Sequence, residues 1–338
     1  MSKSAFYDST RKRLNQYNVF NDDTLDFVAT LAQKQVEFES YPKFFKATGV
    51  PLEPTLFMNS RGRGVVLIDI SSREEKERGV FVIHLPMGNS LDTNQLYQVA
   101  TVALAFPTYR IIAFGNPSGK PYAHPEQNFS VKDWWKVAFS KDVRAAVSTE
   151  LDYLASQNIK SAIHIGYSYG ALKALVTASY ADPASIQQLV LLDPVAHPRG
   201  PRQLLGDFNA TFASLGEYVN RTELQTFLDA RQDAVRRVEY TKGIMRPVNL
   251  AIGFMLARAD FIPLLERVLQ KHPTLKVYVA WGSKSELGND AHMKASLHNL
   301  AHDIAKGRVR SLRLEGDTHA FANDLHVYAA IVHDALSS

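Results

Sequence analysis

Apolar residues recur along this chain in two rhythms. Near the N-terminus, "DDTLDFVATLAQKQVEF" puts Leu25, Val28, Ala32 and Val36 on one face at helical spacing, with Asp22 and Asp23 suited to the helix start. The spacing predicts a mostly helical lead-in over residues 1–54. From residue 55 the rhythm changes. "TLFMN", the turn-like "SRGRG" and "VVLIDI" predict a hairpin, and the apolar run "VFVIHLP" follows the polar turn "SSREEKERG". Strands and helices then alternate: "LDTNQLYQVATVALAF" is helical, "YRIIAFG" is strand-like, and "SKDVRAAVSTELDYLASQ" carries Val143, Val147, Leu151 and Leu154 at helical spacing.

"SAIHIG" is the next strand, "ALKALVTASY" the helix after it, and "IQQLVLLDP" a near-continuous apolar strand of the kind buried on both faces of a parallel sheet. "LKVYVAWG" and "VRSLRLEG" are two further strands, each followed by helical material. Such alternation predicts an α/β fold whose mainly parallel sheet carries helices on both faces. One stretch interrupts it. Residues 197–262 contain no strand pattern, and "TELQTFLDARQDAVRRVEY" opens with Thr222 and Gln225 at capping-box spacing before an apolar helical face. A helical cap inserted after the sixth strand is expected there, with two ordinary crossover helices as the alternative. The core then comprises 55–196 and 263–338.

Composition narrows the classes of function. With 46% hydrophobic and 21% charged residues, the chain has the balance of a folded globular protein. It has no cysteine, which excludes disulfides, thiolate zinc sites and a cysteine nucleophile. The formal charge is +4, and the densest basic cluster, "TRKRLNQ", reads as a solvated helix face. Nucleic-acid binding would need a gathered patch and is not expected. The N-terminus has no signal-peptide pattern and no window approaches the roughly 18 apolar residues of a membrane span. A cytoplasmic protein without a membrane span is the expectation. No metal or organic cofactor is indicated, and oligomeric state is not readable.

The chemistry starts at "IHIGYSYGALKAL", where a strand turns into a helix through Gly166, Tyr167, Ser168, Tyr169 and Gly170. A sharp strand-to-helix turn strains the turning residue and needs small neighbours, so Gly166 and Gly170 leave the Ser168 side chain projecting from the sheet's carboxyl edge. A serine hydroxyl is a weak nucleophile and requires a base, itself oriented by a third group. Eleven histidines are available, and His319 lies in "LEGDTHAF", directly after the last strand. His164 sits inside a strand and reads as a core histidine.

From about residue 55 to its end the chain resembles the α/β-hydrolase fold superfamily, on the strand–Gly-x-Ser-x-Gly–helix unit and on the histidine after the last strand. The resemblance implies Ser168 as nucleophile, His319 as base and an acid between them in sequence. It points to Glu286 in "GSKSELGND", where similar proteins carry aspartate, with Asp290 in the same loop and Asp193 in "LLDP" as alternative acids. It also implies an oxyanion hole built from the backbone N–H of Tyr169 and one from "HLPMGNS". Leu85 stands there where relatives often have glycine, and Pro86 has no N–H, so Met87 is the expected second donor with Leu85 behind it. The activity implied is that of a serine esterase acting on a small acyl substrate. A non-catalytic binding or scaffold protein that keeps the fold is the alternative.

Overall fold

The computed structural model describes residues 3–38, 41–51, 53–87, 91, 93–116, 131–139, 143–198, 200, 202–203, 206–207, 210, 247–288 and 290–337. The expected helix over residues 222–240 lies outside the described residues, as does most of the expected cap.

Eight strands form one sheet: β1 Thr55–Met58, β2 Gly64–Ile70, β3 Gly79–His84, β4 Tyr109–Phe114, β5 Ala162–Tyr167, β6 Ile186–Leu192, β7 Lys276–Gly282 and β8 Val309–Leu314. They lie in the order β1-β2-β4-β3-β5-β6-β7-β8. β1 pairs antiparallel with β2, and β2 with β4; every other neighbouring pair is parallel. The hairpin and the parallel alternation read from the sequence are both present.

Side chains alternate between the two faces as the pleat requires. Ile83, Ile111, Ile163, Ile165, Val190 and Ala280 enter one buried cluster. Their neighbours Val82, Ile112, Ala162, Leu189 and Val279 enter clusters on the other face. With both faces covered, each fully buried Ile, Leu or Phe contributes about 1.5–3 kcal/mol relative to exposure.

Helices α1 Lys3–Asn15, α2 Asp22–Gln35 and α3 Tyr41–Thr48 precede the sheet. Leu14, Leu25, Val28, Phe44 and Phe45 share the first cluster with the strands, so this segment completes one covering layer. Asn21 caps α2, its side chain accepting from the Thr24 N–H. α4 Thr93–Ala105 and the last helix, Leu325–Leu336, lie in the same layer. Between them in sequence come α5 Val131–Phe139, α6 Ser148–Ser156, α7 Tyr169–Tyr180, α8 Pro247–Leu256, α9 Phe261–Lys271 and α10 Asp290–Asn299, which makes the last helix α11. Residues of α7, α9 and α10 build the second cluster, on the opposite face. No helix among the described residues is long and apolar enough to cross a membrane.

β3 has β4 on one side and β5 on the other. The connections from neighbouring strands therefore leave in opposite directions, opening a crevice at the carboxyl ends of β3 and β5. Open α/β sheets bind ligands at such a switch point.

Candidate active site

Ser168 is the first residue after β5 and immediately precedes α7. Its φ of 57° and ψ of −119° lie outside the ordinary regions for a residue with a side chain. Two features hold it there. Its N–H donates to the Leu192 carbonyl at 2.8 Å, tying the turn to the end of β6. The chain also passes too closely for side chains on either flank. A Cβ at Gly166 would lie 2.3 Å from the Gly170 carbonyl oxygen, and one at Gly170 would lie 2.0 Å from that of His84. The glycines thus let the first turn of α7 press against the backbone that leaves β3.

That contact gives a direct test of the local geometry. Gly170→Ala should destabilise the protein by about 3 kcal/mol or more, because its Cβ meets backbone that has little room to yield. Gly253→Ala in α8, where a Cβ meets nothing within 4 Å, should be neutral or gain up to about 1 kcal/mol. Denaturant midpoints of the two variants compare them, and equal midpoints would contradict the close approach.

His319 opens a short 3₁₀ turn, His319–Asn323, after β8. The Tyr167 hydroxyl donates to the His319 carbonyl at 2.8 Å, and the two rings lie 5.2 Å apart between centroids. Tyr167 is the residue before Ser168, so these contacts bring the histidine to the edge that carries the serine. Ser168 and His319 are both buried, at 5% and 3% exposure.

The carboxylate beside His319 is Asp193. Its Oδ2 lies 2.6 Å from His319 Nδ1, and Asp193 is fully buried at the end of β6. Its backbone has a φ of 40°, a left-handed conformation that aspartate tolerates better than most residues. Its N–H donates to the Ala280 carbonyl of β7 at 2.7 Å. The Ser285 hydroxyl donates to the same Oδ2 at 2.5 Å, and the Gly288 N–H donates to Ser285 Oγ at 2.9 Å. An oxygen engaged in two short bonds in a dry setting is held firmly in direction.

Glu286 stands elsewhere. It is exposed in the turn after β7, because that turn directs Ser285 inward and its successor outward. The expected pairing of Glu286 with His319 is therefore corrected to Asp193, and the β7 loop contributes the serine that orients this carboxylate. Asp290 is engaged in a different set of bonds. It accepts from Trp281 Nε1 at 2.8 Å and from Arg313 through two bonds, at 2.7 and 2.8 Å. The Arg313 guanidinium holds its carboxyl below the usual carboxylate range, against the smaller opposing effect of burial. This bidentate pair fastens α10 to β8.

Behind the serine lies a buried polar cluster. Lys173, 1% exposed on α7, forms an ion pair with Glu150 of α6. Glu150 Oε2 lies 3.1 Å from His84 Nδ1, and His84 Nε2 lies 2.9 Å from His164 Nδ1. Burial pushes both histidines below their ordinary pKa, His164 further than His84. Burial alone would raise Glu150, yet the Lys173 ammonium and His84 hold it below the usual range. With His84 neutral, the carboxylate requires the proton on His84 Nδ1, so His84 Nε2 accepts from His164. Breaking such a buried pair by removing one partner costs about 3–5 kcal/mol. Of this cluster the sequence offered two signals, His164 inside a strand and a lysine within the apolar run "ALKALV". Ser285 and Glu150 carried none.

Tyr169 and Met87, the expected oxyanion donors, are both buried and share an apolar cluster with Leu172, Val195, Ile252 and Met255. The buried side of α8 thus packs beside the loop after β3 and the start of α7. Among the described residues no group of three or more His, Asp or Glu side chains is arranged to hold a metal ion.

Solved structures with the same architecture include a bromoperoxidase from Bacillus anthracis, an esterase from Exiguobacterium antarcticum and an enol-lactonase from Burkholderia xenovorans LB400. The bromoperoxidase is 14% identical over 85% of this chain and 100% of its own, with a TM-score of 0.56. The esterase is 12% identical over 84% and 100%, with a TM-score of 0.57. The enol-lactonase is 13% identical over 84% and 100%, with a TM-score of 0.54. No family model matches the sequence, and no curated protein does. Its eight-stranded sheet and these likenesses show that the chain has the α/β-hydrolase fold.

Proposed function

We propose that the protein is a serine hydrolase that cleaves an ester, thioester or related acyl compound through Ser168, His319 and Asp193. The observation that carries this reading is the 2.6 Å contact between buried Asp193 and His319 Nδ1, on the sheet edge where Ser168 is held in a strained turn. Three of the solved structures with this fold are described as an esterase, an enol-lactonase and a hydrolase, which accords with acyl chemistry.

In this mechanism Ser168 Oγ attacks the substrate carbonyl and its proton passes to His319 Nε2. Asp193, accepting from His319 Nδ1, keeps the correct tautomer and stabilises the imidazolium. The tetrahedral oxyanion is received by the backbone N–H groups of Tyr169 and Met87. His319 then protonates the departing alcohol or thiol, and water activated by the same imidazole releases the acid from Ser168. The described residues give Ser168 Oγ no hydrogen bond to His319; such contacts tighten when substrate is bound. The packing of α8 against Tyr169 and Met87 supports a lid role for residues near 197–262, with acyl selectivity residing there.

The test is covalent labelling. A fluorophosphonate probe should modify Ser168, identified by mass spectrometry of the labelled peptide, and Ser168→Ala should abolish the adduct. Folded protein left unmodified at Ser168 would favour a binding protein that retains the fold.

A further inference from the structure

The loop that follows β3 is held by a side chain from the end of β4. Asn116 is fully buried, and its amide nitrogen donates to two consecutive carbonyls, that of Leu85 at 3.2 Å and that of Pro86. Its amide oxygen accepts from Lys173 Nζ at 3.0 Å. The oxygen and nitrogen of Asn116 therefore cannot exchange places, because the ammonium only donates and the carbonyls only accept. Lys173 is itself fixed by Glu150, and its ammonium lies 5.8 Å from the centre of the Tyr169 ring.

The Pro86 carbonyl belongs to the same planar peptide unit as the Met87 N–H. In a trans peptide the two point in opposite directions, and rotation within the unit is barred by its double-bond character. Anchoring the carbonyl oxygen consequently aims the N–H at the far side of that plane. Pro86 restricts the unit further through its fixed φ. Glycine, which relatives often carry in this loop, is replaced here by Leu85, and the Asn116 anchor spans that position as well.

We infer that Asn116, locked in orientation by Lys173, is a positioning residue that sets the Pro86–Met87 peptide plane so that the Met87 N–H meets the developing oxyanion. This rests on the hydrolase reading above. It gives the buried lysine a role in aligning the acyl-transfer site: one ammonium braces the side chain of Tyr169 directly and the Met87 peptide through Asn116. Lys173 also holds the Glu150 pair, so Asn116 is the cleaner place to intervene.

Asn116→Ala removes both carbonyl anchors. Losing an aligned oxyanion donor costs on the order of 10²- to 10³-fold in kcat. The expected result is therefore a fall in kcat for a p-nitrophenyl ester of about 10²-fold, with KM within about threefold, since substrate binding does not need the oxyanion contact. Affinity for a boronic acid inhibitor, which forms a tetrahedral adduct on the serine, should fall in parallel. Active-site titration on folded protein separates this from loss of structure. A merely structural role would lower the folded fraction and leave kcat per titrated site and boronate affinity unchanged, and that outcome overturns the inference. If Asn116→Ala does not fold, Asn116→Ser, which keeps a polar group towards Lys173 without the reach to both carbonyls, carries the same expectation, and full kcat in it is equally decisive. Wild-type protein that neither labels at Ser168 nor turns over ester removes the hydrolase reading and this inference with it. Active, labelled wild type with Asn116 variants at full kcat removes this inference alone.

Discussion

Replacing His319 with alanine should lower turnover of a p-nitrophenyl ester by at least about 10³-fold, because the members of such a triad act as a unit. The effect should fall on kcat. In the proposed mechanism His319 accepts the Ser168 proton and then donates to the leaving group, and among the described residues no other imidazole is bonded to Asp193. The backbone bond to Tyr167 survives the substitution, but the ring contact with Tyr167 and the partner of buried Asp193 are lost, so stability should fall and turnover is compared on folded protein. Near-wild-type turnover in the folded variant would remove His319 as the base.

Comparable in size is the expected effect at the acid. Asp193→Asn should cost roughly 10³- to 10⁴-fold in kcat, because an amide in that position no longer stabilises the imidazolium and can favour the wrong tautomer. Glu286→Gln should leave turnover within about twofold, since Glu286 is exposed in the turn after β7. Asp290→Asn should weaken the bond to Arg313 and lower stability by on the order of 1 kcal/mol, with kcat preserved. Measuring kcat for the three variants side by side ranks the carboxylates. A crippled Glu286→Gln with an active Asp193→Asn would reverse the assignment.

The contrast between Asp193 and Glu286 shows where reading a sequence succeeds and where it stops. Hydrophobic rhythm made all eight strands legible: those in the parallel part are buried on both faces and leave apolar runs, whereas the half-exposed β1 was legible from its hairpin with β2. The turn at Ser168 was legible because two glycines mark a place where side chains cannot fit. His319 was legible as a candidate through the resemblance, from its place after β8. The carboxylate beside it was legible only as one of three alternatives, because Asp193, Glu286 and Asp290 all come shortly after a strand. What separates them is direction: Asp193 closes β6 in a left-handed conformation that turns it inward, whereas the loop after β7 turns Ser285 inward and Glu286 out. Direction of a side chain at a strand end is a property of the assembled sheet. Lys173, Asn116 and Glu150 come together from α7, β4 and α6, and only the assembled fold can bring three such distant segments together.

The first and last helices depend on each other in a way that bears on how the chain is made. Arg13 pairs with Asp324 at the start of α11, and Gln35 bonds both Thr101, at 3.0 Å, and His326, at 2.8 Å. The Arg13–Asp324 contact joins residues 311 apart in sequence. As the ribosome releases the chain, α2 emerges well before α11, yet part of its buried face finds its partner only when α11 follows. A nascent chain halted before residue 325 keeps Leu25 and Val28 of α2 without the helix that α2 packs beside, and such exposed surface invites aggregation. His319, only five residues before Asp324, emerges with that same segment. Closure of this core layer and the arrival of His319 beside Asp193 are thus nearly simultaneous events, both awaiting the segment after β8.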